Sequence, residues 1–144
     1  MPVKVLLVDD DEEATALAKR YLVGRAYAVV TARDGSDGLL LAQESRPDIA
    51  VLDVEMPGLD GPSLCRVLRR GEKTRDLPVI LMSGRRIAEK DVLLGLEGGA
   101  DDYLLKPVSL PMLAAKIQTV LRRYAAPVAA AKTLKRGGVA LDAA

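Results

Sequence analysis

Histidine is missing from this chain of 144 residues. Its absence excludes His-based general catalysis, His-ligated zinc and a phospho-His relay contained within the chain. Cysteine is nearly missing as well: Cys65 alone cannot form an internal disulfide, and such sparing use fits a reducing compartment. There is no signal-peptide pattern and no apolar run long enough to span a bilayer, so the sequence reads as cytoplasmic with no membrane contact. Nor is there an excess of charge, because 21 basic residues against 20 acidic ones leave +1, and no overall field draws in nucleic acid. Only the stretch after Tyr124 leans basic, with Lys132, Lys135 and Arg136 against Asp142. No internal repeat is visible.

What the chain does have is alternation. Short apolar runs at 3–8, 26–32, 48–53, 77–83 and 100–106 read as strands, most of them too continuously apolar for a sheet with one face in water. Between them the apolar spacing lengthens to that of helices, as in Ala14, Leu17, Ala18 and Tyr21, or Leu110, Leu113, Ile117, Val120, Leu121 and Tyr124. Asp34, Asp60 and Ser109 stand where N-caps stand, and Gly24 and Gly71 where helices release the chain. This pattern predicts an α/β domain over residues 1–124, a doubly wound parallel sheet of five strands with five helices. Residues 125–131 read as a small-residue linker, and 132–144 are too short for a further domain.

In an open parallel sheet the ligand site lies outside the carboxyl ends of the strands. The residues there are Asp9, Asp10 and Asp11, then Asp53, Ser83 and Lys106. Gathered carboxylates repel one another, and an oxygen-seeking divalent cation that keeps its waters, such as Mg²⁺, relieves the repulsion. An aspartate beside Mg²⁺ can attack a phosphoryl group to form an acyl phosphate, with Lys106 and the Ser83 hydroxyl holding phosphoryl oxygens. Asp53 is the candidate nucleophile.

Four pieces, "VLLVDDDEE" (5–13), "VLDVEMPGLDG" (51–61), "VILMSG" (79–84) and "GADDYLLKP" (99–107), resemble the receiver domain of two-component response regulators over residues 3–123. The resemblance implies the flavodoxin-like receiver fold, with Asp53 as phosphoacceptor for a sensor histidine kinase. It implies a Mg²⁺ site of Asp10, Asp9, Asp53 and the backbone carbonyl of Glu55. Ser83 and Tyr103 become the switch pair, and Lys106 precedes a proline whose peptide bond is typically cis. Glu55 and Arg85 are expected to project over the phosphate. Met56, Pro57 and Gly58 read as turn chemistry, Cys65 as a core residue, and the run 69–76 as a solvated helix end and loop.

Two other classes fit less well. A haloacid-dehalogenase-type phosphatase would carry Asp-x-Asp where this chain has Glu55 in second place, and a dinucleotide-binding module would need a glycine-rich turn in place of Asp9, Asp10 and Asp11. "LRR" at 121–123 followed by "LKRGGVALD" (134–142) resembles the exit of a receiver into an output domain of the winged-helix DNA-binding class, so DNA would be reached only through a downstream domain. A single-domain regulator acting by docking to a partner is the alternative. Receivers of that class typically form homodimers through the helix before the fifth strand, the strand itself and the helix after it. Here Asp102 and Lys116 keep a plausible charge pair, while Val92 and Met112 stand where opposite charges are usual, so an apolar contact is expected to replace an ion pair.

Overall fold

The computed structural model describes residues 2–84, 93, 96 and 98–134, with side-chain surroundings as far as Tyr124. The element order is β1 (Lys4–Val8), α1 (Glu12–Gly24), β2 (Ala28–Ala32), α2 (Gly35–Ser45), β3 (Ile49–Asp53), α3 (Gly61–Arg70), β4 (Val79–Ser83), β5 (Asp102–Leu105) and α4 (Leu110–Leu134). All five strands run parallel in the order β2-β1-β3-β4-β5. Each falls inside the apolar run expected for it. Four helices are defined among the described residues; the one expected between β4 and β5 falls mainly on residues outside them.

Alternate strand positions feed two cores. Leu6, Val8, Leu52 and Leu81 pack with Leu64 and Leu68 of α3 on one face, while Val5, Leu7, Val51 and Ile80 pack with Leu22 of α1 and Leu113, Ile117 and Val120 of α4 on the other. Burial on both faces is why the central strands read as unbroken apolar runs. The caps stand where expected: Asp34 accepts from the Asp37 N–H, Asp60 from the Ser63 N–H and Ser109 from the Met112 N–H.

The structure refines three expectations. Of the apolar stripe on α1, Ala18 is buried and Tyr21 packs partly against the core, joined by Leu22, while Ala14 and Leu17 are exposed, Leu17 at 49 %. The run 69–76 is not uniformly solvated. Arg69 donates to the carbonyls of Leu77 (2.6 Å) and Gly99 (3.0 Å from Nε) and pairs with Asp101 at 3.3 Å, while Thr74 is buried with its hydroxyl on the Leu68 carbonyl at 2.6 Å. Third, α4 continues through the small-residue stretch 125–131 as far as Leu134. Alanine is the strongest helix former, so a composition that reads as linker also favours a helical exit.

Candidate functional site

The strand order reverses direction between β1 and β3, and the crevice at such a point collects what the strand ends carry. Asp9 and Asp10 follow β1, and Asp53 closes β3. Their carboxylate oxygens lie within 4.8 Å of one another. Asp53 is only 6 % exposed. It is held close to the helix that follows, because a Cβ on Gly61 would stand 2.4 Å from the Asp53 carbonyl oxygen. Between the two lies the turn of Met56, Pro57 and Gly58, with Gly58 at φ +76°, a left-handed position natural to glycine.

Lys106 follows β5, and its Nζ donates to Asp9 Oδ2 at 3.1 Å and to Asp53 Oδ1 at 3.4 Å. The Lys106–Pro107 peptide bond is cis, as the resemblance implied. Burial opposes the charge on Lys106, but its contacts with Asp9 and Asp53 outweigh that and hold the ammonium above the usual lysine range. Asp53 is pushed up to about 6, mainly by burial and then by the charge of Asp9; Lys106 offsets part of the rise, and Glu55 adds to it. Asp53 is therefore ionised at neutral pH but at a cost, which a cation would relieve. Asp11 caps α1 by accepting from the Ala14 N–H, and its own N–H donates to Asp9 Oδ1 at 2.9 Å. Asp9 is thus fixed from two sides.

Ser83 is fully buried at the end of β4, and its hydroxyl donates to Glu55 Oε2 at 2.7 Å. The Gly84 N–H donates to Glu55 Oε1 at 3.2 Å. The Glu55 side chain is thus engaged at the end of β4; Arg85, expected beside it over the phosphate, lies outside the described residues. Tyr103 is half-buried against the core on the Leu81 side of the sheet. Cys65 is buried, its thiol pushed up by burial, which fits a core residue. Asp53 and Lys106 also line a cavity of about 390 Å³ together with Ala14, Ala18, Leu110 and Leu113. At the opposite end of β5, Asp102 pairs with Lys116 at 3.3 Å within one chain and Asp101 accepts from the Tyr124 hydroxyl at 2.8 Å; Met112, in the first turn of α4, is 52 % exposed. Val92, its expected counterpart, lies outside the described residues.

A carboxylate cluster with one ammonium thus lies at the turning point of a parallel sheet, the place where α/β domains of this architecture carry their ligand sites. Comparison with known proteins narrows the class: the response regulator receiver domain matches residues 5–118, and the chain belongs to that family. Transcriptional regulatory protein AfsQ1 of Streptomyces coelicolor is 49 % identical over 123 residues, covering 85 % of this chain and 52 % of that protein. CseB of Streptomyces avermitilis, also a transcriptional regulatory protein, is 50 % identical over 123 residues, covering 83 % of this chain and 49 % of that one. The chain therefore spans about half the length of these relatives. Among solved structures, a putative response regulator from Chloroflexus aurantiacus superimposes with a TM-score of 0.78 at 31 % identity over 85 % of this chain and 99 % of that one. The BeF3-activated receiver domain of Klebsiella pneumoniae RstA gives 0.75 at 33 % identity over 83 % of this chain and 98 % of that one. The chain is a signalling domain of the phosphorylation-dependent kind and not a metabolic enzyme. No helix among the described residues is long and apolar enough to cross a membrane.

Proposed function

We propose that Asp53 accepts a phosphoryl group from a sensor histidine kinase, with Mg²⁺ held by Asp9, Asp10, Asp53 and the Glu55 backbone carbonyl. The observation that carries this reading is the convergence of three carboxylates and Lys106 at the carboxyl ends of β1, β3 and β5. The donor set is all oxygen and crowded with negative charge, which fits Mg²⁺. When bound, the ion neutralises charge on the transferring phosphoryl oxygens.

The residues of the chain do the rest. Ionised at neutral pH, Asp53 supplies a carboxylate oxygen that bonds to phosphorus as the bond from phosphorus to the donor's imidazole nitrogen breaks. Lys106, already between Asp9 and Asp53, is placed to follow the new charge onto the phosphoryl oxygens. Ser83 and the Gly84 N–H at the end of β4 supply further donors, and a shift of Ser83 with Tyr103 carries the change to the surface around β5. The output is control of transcription through a DNA-binding domain of the winged-helix class attached beyond α4, in a protein with the receiver at residues 1–124. The curated relatives, about twice as long and named as transcriptional regulators, favour this over a single-domain regulator. Incubation with Mg²⁺ and acetyl phosphate should add one phosphoryl group by intact mass. The adduct should be absent from Asp53→Ala, and an unmodified wild type would refute the reading.

A further inference from the structure

Glu55 lies two residues beyond Asp53, on the turn that leaves β3, yet its side chain reaches across to the end of β4. One oxygen takes the Ser83 hydroxyl at 2.7 Å and the other takes the Gly84 N–H at 3.2 Å. A hydroxyl and a backbone amide grip the two oxygens of one anion, much as they would grip two oxygens of a phosphoryl group. Because Ser83 is fully buried, its hydroxyl cannot turn to bulk water in exchange.

We propose that Glu55 is an internal competitor of the phosphoryl group: in the unphosphorylated protein it holds the Ser83 hydroxyl and the Gly84 amide, and phosphorylation engages them only after displacing it. The inference rests on Asp53 being the phosphoacceptor. Its physical content is an exchange. The incoming phosphoryl oxygens replace one charge-assisted pair of hydrogen bonds with another, so only the difference favours the activated arrangement. Glu55 is then a positioning residue that acts through Ser83, keeping that hydroxyl committed until phosphate arrives and setting how strongly phosphate must bind to move it.

The experiment is a double-mutant cycle read by the binding of beryllofluoride, a phosphoryl mimic, at saturating Mg²⁺. Glu55→Ala should tighten binding by about fivefold or more, the scale of one net hydrogen bond released. In a Ser83→Ala background the same change should bring less than about twofold. A second measurement is made without Mg²⁺ or mimic: the Gly84 amide proton resonance should move upfield in Glu55→Ala and move less in Glu55→Gln, which keeps an acceptor oxygen. Equal tightening in both backgrounds would mean that Glu55 acts by charge alone and would overturn the inference, as would no tightening or an unmoved Gly84 resonance. Failure of the wild type itself to bind beryllofluoride would contradict the assignment of Asp53 and take the inference with it. Wild-type binding with unresponsive variants would overturn the inference alone.

Discussion

Replacing Asp53 with asparagine should make the metal-free protein more stable at neutral pH. A carboxyl moved from its ordinary 3.8 to about 6 carries about 3 kcal/mol against its ionised form in the folded protein. The sign follows from proton binding. Between those two values the folded protein keeps a proton that the unfolded chain has lost, so this group's contribution falls as pH rises through the window and stays unfavourable above it. Asparagine keeps the shape and removes the charge, but it also gives up the contact with Lys106 Nζ at 3.4 Å. The net gain at pH 7.5 should therefore be about 1–3 kcal/mol, or several degrees in Tm for a domain of this size. Urea unfolding of both proteins in chelator, at pH 7.5 and near pH 4, measures it. The gap should shrink toward zero at the lower pH, where the folded wild type is already protonated at Asp53. Mg²⁺ at ten times its dissociation constant should narrow the gap at pH 7.5, since it adds about 1.4 kcal/mol to the protein that binds it. A variant no more stable than wild type at pH 7.5 would refute the account of a crowded, desolvated carboxylate.

Three further outcomes are expected. Lys106→Ala removes the ammonium between Asp9 and Asp53, so beryllofluoride should still bind with Mg²⁺ while the resonances of Ser83 and Tyr103 fail to shift; a wild-type-like shift would count against its role. Tyr124→Phe deletes the hydroxyl donating to Asp101 and should cost about 1 kcal/mol in urea unfolding, with unchanged stability speaking against that contact. Beryllofluoride-treated protein should sediment as a symmetric dimer at both low and high salt, and Met112→Glu should weaken it, because Met112 is exposed on the first turn of α4 while Asp102 is engaged with Lys116 in its own chain. A monomer throughout, or dissociation by salt alone, would reject the apolar contact.

The strands were legible because burial on both faces leaves a local trace: Leu6, Leu52 and Leu81 face one core and Leu7, Val51 and Ile80 the other, so whole runs had to be apolar. Asp9, Asp10, Asp53, Ser83 and Lys106 were legible as strand-end residues for the same reason, once the strands were placed. Leu17 was not, since it and Ala18 both satisfy a helical period and only packing against the sheet selects the buried one. Arg69 stayed hidden inside a charge run because its acceptors, at Leu77 and Gly99, are brought to it by the fold. The Glu55 side chain was hidden in the same way: its partners Ser83 and Gly84 lie on a neighbouring strand end, and no sequence spacing announces that contact.

The central claim is that one carboxylate, Asp53, takes the phosphoryl group. Treating the protein with acetyl phosphate and Mg²⁺, reducing it with borohydride and mapping the peptides tests this directly, because an aspartyl phosphate is reduced to homoserine where a free carboxylate is not. Homoserine at Asp53 alone is the predicted result. Homoserine at Asp9 or Asp10 instead, or at no position while the wild type stays unmodified, would contradict the account.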